Sequence, residues 1–117
     1  MSDRRLALAI LLVLLAVYTL TYSGVFHSDD FTAQTRQALQ NLVDVLREAG
    51  GKPEHIVRLT WYVTDKREYL AAGRGIGQAF RELIGSYNAA MTAVQVAALM
   101  EDRAKVEIEA TAVIPVS

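Results

Sequence analysis

The apolar residues of this chain recur with two different periods, and the places where the period changes divide it into elements. From Phe31 onward, Thr35, Ala38, Leu39, Leu42, Val43, Leu46 and Ala49 return every three or four residues. That spacing predicts one amphipathic helix, starting just after the acidic pair Asp29-Asp30. Gly50-Gly51 suits the left-handed conformation common just past a helix, and Pro53 prevents an early restart. Between His55 and Thr64 the period drops to two, with Val57, Leu59, Trp61 and Val63 on one face and Arg58, Thr60, Tyr62 and Thr64 on the other. This run predicts a strand. Asp65 and Glu68 have the spacing of a capping box, so a second helix should begin near Lys66 and bury Tyr69, Leu70, Ile76, Phe80, Leu83 and Ile84 before Gly85 closes it. Gly73, Gly75 and Gly77 inside that helix cost about 1 kcal/mol each relative to Ala and predict a kink or a labile stretch. Met91 to Leu99 and Ala104 to Ile114 read as two further strands joined by the charged turn Met100-Glu101-Asp102-Arg103. In the last, Val106, Ile108, Ala110 and Ala112 oppose Lys105, Glu107, Glu109 and Thr111.

The order helix, strand, helix, strand, strand predicts an α+β fold with both helices packed on one face of the sheet. The other face then lacks a cover. It presents Arg58, Thr60, Tyr62, Lys105, Glu107 and Glu109, a semi-polar surface suited to meeting further subunits across a closed symmetric interface.

Residues 1–26 stand apart from the domain expected over residues 27–117. From Leu6 to Phe26 no residue is charged, and Asp3, Arg4 and Arg5 precede the run. As a helix at about 1.5 Å per residue it would reach about 31 Å, close to the bilayer hydrocarbon thickness of about 30 Å. The paired arginines would keep the N-terminus cytoplasmic, and Tyr18 and Tyr22 would sit near the far interface. On this reading residues 6–26 contact the membrane and the chain is anchored or exported. Thr21-Tyr22-Ser23 is a poor cleavage site, so an uncleaved transmembrane helix fits better than a signal peptide. The same apolar content also fits two buried strands, Leu6 to Leu15 and Val17 to Val25, in a cytoplasmic protein.

Composition narrows the chemistry. Twelve Lys and Arg oppose thirteen Asp and Glu for a net charge of −1, so no long-range field draws nucleic acid, and a nucleic-acid partner is not expected. The absence of Cys removes disulfides, thiolate nucleophiles and Cys-ligated zinc. His27 and His55 are far apart in sequence and form no H-x-x-x-H pair, so no metal is expected. Gly73-Arg74-Gly75-Ile76-Gly77 lies inside a helix pattern and does not follow a strand, which argues against a phosphate-cradling loop and for a close-packing or flexible stretch. Trp61 is expected in the core.

Three segments together resemble the RidA/YjgF family: QTRQALQNL from Gln34, HIVRLTWYVTD from His55 to Asp65, and VQVAALMEDRAKVEIEATAV from Val94 to Val113. Their order and spacing cover about three quarters of the chain, and VEIEATAV is particularly similar to the family's closing signature. The resemblance implies a chorismate-mutase-like fold, a homotrimer, no cofactor, and intersubunit clefts that bind or hydrolyse small reactive enamines and imines. Glu107 matches the family's acidic residue, thought to orient or deprotonate the attacking water. Met91, Thr92 and Arg74 are the corresponding candidates for substrate contact. Two departures stand out. Active members carry Pro-Ala-Arg before the fourth strand, where the guanidinium holds a substrate carboxylate, and this chain has Ala89-Ala90-Met91. That change favours a non-catalytic ligand-binding or regulatory trimer as the rival reading. Members also begin with a β-hairpin that supplies an aromatic hydroxyl, a role open here to Tyr18 or Tyr22 only if the N-terminal run pairs as strands.

Overall fold

The computed structural model describes residues 9–17, 30–85 and 89–115. Asp30 caps the first helix, α1 (Phe31–Glu48), its carboxylate accepting the Ala33 N–H at 3.1 Å. The three-to-four spacing becomes one buried stripe of Phe31, Gln34, Thr35, Ala38, Leu39, Leu42, Val43 and Leu46. After the helix Gly50 adopts φ 88°, and the Gly51 N–H returns to the Leu46 carbonyl at 2.9 Å. A Cβ on Gly51 would stand 2.5 Å from Leu46 Cδ1 and 2.9 Å from Ile114 Cδ1, so glycine is also required there by close packing.

Four strands form the sheet. They are β1 (Ala9–Val17), β2 (Ile56–Val63), β3 (Ala90–Gln95) and β4 (Val106–Pro115), in the spatial order β1-β4-β2-β3. β4 lies between two antiparallel neighbours, while β3 runs parallel to β2 at the edge. The second helical region is two pieces, α2 (Lys66–Ala71) and α3 (Gly73–Leu83), broken at Ala72 where the glycine-rich stretch begins. Gly75 lets α3 approach α1 closely, since a Cβ there would lie 2.9 Å from Thr32 Cγ2. The helices cover one face of an α+β sheet, and the core between them holds Leu39, Leu42, Leu46, Leu59, Trp61, Val106 and Ile108.

The strand assignment of residues 9–17 overturns the transmembrane helix. β1 pairs with β4 from Ala9 opposite Pro115 to Val17 opposite Glu107. Among the described residues no helix is long and apolar enough to cross a membrane. Apolar content alone does not separate a buried strand from a helix, and here the backbone of β4 offers a nine-residue ladder that the run completes. Of the second strand expected, Val17 to Val25, only Val17 is described, as the end of β1, and Tyr18, Tyr22 and His27 lie outside the described residues.

Four local expectations also change, the first being Leu70, which is 65% exposed and not buried on the second helix. Val57 is not in the core: a bulge sets Ile56 against Ala112 but Arg58 against Thr111, so Ile56 turns inward and Val57 is 46% exposed. The capping box at Asp65 is half made. Asp65 accepts the N–H groups of Arg67 and Glu68, but the Glu68 carboxylate instead binds Lys105 Nζ at 2.7 Å. That pair also takes the Lys105 side chain away from the open face. Beyond it, β4 alternates as expected, with Val106, Ile108, Ala110 and Ala112 buried and Glu107, Glu109 and Thr111 partly exposed.

One buried polar side chain fixes β4 against α1. Gln34 is fully buried; its Oε1 accepts the Lys105 N–H at 2.7 Å and its Nε2 donates to the Arg103 carbonyl at 3.1 Å. Gln34→Ala strips partners from two part-buried backbone groups and opens a cavity. It should lower stability by about 2 to 3 kcal/mol, measured as a fall in the urea midpoint with unchanged slope. A loss below about 0.5 kcal/mol would show that the amide does not hold β4.

Candidate functional site

Register assembles a polar site on the uncovered face. Tyr62 sits opposite Glu107 on one side and Val94 on the other, and Thr60 sits opposite Glu109 and Thr92. Glu107, Glu109 and Thr92 therefore share one face with Tyr62 and Thr60. The Tyr62 hydroxyl donates to Glu109 Oε1 at 3.0 Å. Glu107 makes no hydrogen bond or ion pair among the described residues, which leaves its carboxylate able to accept from a water or a ligand. Tyr62, Glu107 and Glu109 line a recess of about 330 Å³ walled on its far side by Val96, Leu99 and the almost fully exposed Met100. Arg58, Thr60, Glu109 and Thr111 line a neighbouring polar depression.

The Tyr62 phenol is raised above its usual value, first by its hydrogen bond to Glu109, then by partial desolvation and the negative charge of Glu109 and Glu107. It therefore remains a neutral donor between two carboxylates.

Met91 faces the other way. It is aligned with the buried Leu59 across the β2–β3 ladder, on the helix-covered side. There it lines an apolar, open-sided cavity of about 240 Å³ with Trp61, Tyr69, Leu70, Ile76 and Phe80. Gly73 and Gly77 complete the wall; a Cβ on Gly73 would meet nothing within 4 Å. Arg74 lies on the exposed side of this α3 turn and does not line the cavity. The sheet thus brings Thr92 and Glu107 to one face and sends Met91 to the opposite one. Among the described residues no group of three His, Asp or Glu side chains is placed to hold a metal ion.

Trp61 is core, as expected, and is also part of the cavity wall. The Tyr62–Glu109 pair was not foreseen, because it depends on the cross-strand register and not on either strand's own pattern. The coincidence of polar phases in β2 and β4 was the only sequence signal for it.

The family model described as Endoribonuclease L-PSP matches residues 18–114. A solved Rid-family protein of Yersinia pestis, YyfB, superposes with a TM-score of 0.75 at 34% identity, covering 90% of this chain and 80% of that one. The chain belongs to the RidA/YjgF family. The fold is the chorismate-mutase-like α+β arrangement of that family. Among similar Rid proteins, the 2-iminobutanoate/2-iminopropanoate deaminase of Salmonella typhimurium is 35% identical over 86 residues, 74% of this chain. The match spans 66% of that relative, less than two thirds of its length. Escherichia coli TdcF, solved with bound serine, has a TM-score of 0.74 at 26% identity and covers 90% of this chain and 84% of its own.

Because the Tyr62 bond exists only while the phenol is protonated, its stabilisation is present below about pH 10 and is lost as pH rises through the raised value. Glu109→Gln should bring the Tyr62 titration down, read as phenolate absorbance against a Tyr62→Phe control. An unchanged titration would mean the hydrogen bond is not formed in solution.

Proposed function

We propose that the chain forms a Rid-type homotrimer whose intersubunit clefts bind small reactive imines or enamines and, where the substrate fits, hydrolyse them. The observation that carries this reading is Glu107, a carboxylate without a hydrogen bond or ion pair among the described residues, in a recess on the sheet face that the helices leave open. β3 supports the assembly. All six of its residues are exposed, and it stands at the sheet edge with Met91 51% and Val94 41% accessible, a surface that monomers seldom leave uncovered. Since Glu107 and Met91 occupy opposite faces, a cleft that uses both takes them from different subunits.

In such a cleft Glu107 takes a proton from water as the oxygen bonds to the C=N carbon. The proton that Glu107 gained passes to the imine nitrogen; the carbinolamine hydroxyl then gives its proton to the amine through Glu107, the C–N bond breaks, and ammonia leaves as the C=O forms. Tyr62, held neutral by Glu109, supplies a fixed hydroxyl beside that water. Thr92 shares the face and is assigned to substrate contact. Arg74, on the exposed side of α3, is a weaker candidate for the missing cation.

Met91 favours a second reading, a ligand-binding trimer without turnover. The thioether offers no charge and no donor to a carboxylate. The nuclease activity named in the family description gains nothing from a face carrying Glu107 and Glu109 on a chain of net charge −1.

Turnover of 2-iminobutyrate, generated in situ by an amino-acid oxidase, should be weak or absent in the unmodified protein. Met91→Arg should raise it at least about tenfold, and Glu107→Gln in that background should abolish the gain while leaving the trimer intact. Strong hydrolysis by the unmodified protein that survives Glu107→Gln would remove Glu107 from the mechanism.

A further inference from the structure

The cavity beside Met91 has a chemical character of its own. Six of its eight lining residues are large and apolar or aromatic, the other two are glycines, and none is charged. No basic side chain is part of the lining: Arg74 sits on the exposed side of α3, Arg58 lines the depression on the opposite face, and Arg81, whose Nη1 lies 3.3 Å from where a Cβ on Gly77 would stand, stays outside the wall. A carboxylate entering this cavity would lose its hydration and find neither a cation nor a charged donor among the residues of its wall. In an intersubunit cleft it would also face the unneutralised carboxylate of Glu107. Both effects act against an acid and neither acts against a neutral molecule. The volume of about 240 Å³ equals roughly eight water molecules at about 30 Å³ each, which suits a small ring or a short branched chain. Leu70 and Met91, 65% and 51% exposed at the rim, present apolar surface that such a ligand would cover.

From these observations we infer that the pocket behind Met91 takes an uncharged, mainly apolar carbonyl or imine compound in place of an amino-acid-derived imino acid. The inference rests on reading Met91 as part of the substrate cleft, and it names the substrate class of that cleft. Selectivity arises from a lining without a charged residue and from Gly73 and Gly77, which add no side chain to the α3 wall that Ile76 and Phe80 also form.

Trp61 is the only tryptophan of the chain and lines this cavity, so its fluorescence reports occupancy directly. Cyclohexanone and 2-oxobutyrate serve as probes of similar size, one neutral and one anionic. Titration of the full chain with cyclohexanone should shift the Trp61 emission saturably, with 2-oxobutyrate at least about tenfold weaker. Met91→Arg should reverse that order. Gly73→Leu adds a side chain to the cavity wall from a position where a Cβ meets nothing, so the fold should survive, confirmed by circular dichroism, while cyclohexanone binding weakens at least about tenfold. Equal or tighter binding of 2-oxobutyrate to the unmodified protein overturns the inference, and so does cyclohexanone binding that Gly73→Leu leaves unchanged. The readout is binding and not turnover. Absence of imine hydrolysis in every variant would therefore end the catalytic reading and leave this one standing, whereas a failed cyclohexanone titration beside Glu107-dependent hydrolysis would do the reverse.

Discussion

The register of β4 is the constraint on which the molecule depends. This strand lies between β1 and β2, so its backbone is paired on both edges, and its alternate side chains are divided between the core and the open face. A slip of one residue would carry Glu107 and Glu109 into the apolar layer and expel Val106, Ile108 and Ala110. Gln34 opposes the slip at the strand's beginning, where its amide satisfies the Lys105 N–H and the Arg103 carbonyl. The Lys105–Glu68 pair adds a tie from the same point to α2, with both side chains about 30% exposed, where such a pair contributes modestly. The placement of Glu107 in the open recess is thus a consequence of how the core packs.

Much of this architecture is legible in the chain's periodicity. α1, β2 and β4 follow from apolar spacing, and their faces are correct except at Ala49, which lies exposed past the end of α1, and at Val57, where one extra residue in β2 resets the phase. A bulge has no signature in a pattern of alternation. The break between α2 and α3 follows from three glycines in one helical run, while the diversion of Glu68 from its cap to Lys105 required knowledge of which residue comes near it in space. The N-terminal run was the least legible. Uninterrupted apolar residues suit a membrane helix and a buried strand equally, and only the vacant side of the β4 ladder selects the strand for residues 9–17.

The site was legible by residue type and not by arrangement. Glu107, Thr92 and Met91 are grouped by the resemblance to the Rid family, yet one step of strand alternation puts Met91 and Thr92 on opposite faces of the sheet. The polar recess and the apolar cavity are therefore back to back within one chain. In the proposed trimer each is half of a cleft, and the assembly joins a carboxylate from one subunit to an apolar pocket of the next. The exposure of β3 along its whole length fits such a junction.

Subunit mixing tests this division most directly. The unmodified chain keeps Glu107 but has no cation at position 91, while the Met91→Arg, Glu107→Gln double variant has the cation and lacks the carboxylate. Unfolded together and refolded, the two should turn over 2-iminobutyrate, although neither does so alone, because some clefts of mixed trimers would unite both groups. Mixtures no more active than the separate proteins, with mixed trimers demonstrated by mass spectrometry, would show that Glu107 and position 91 do not act across a subunit boundary.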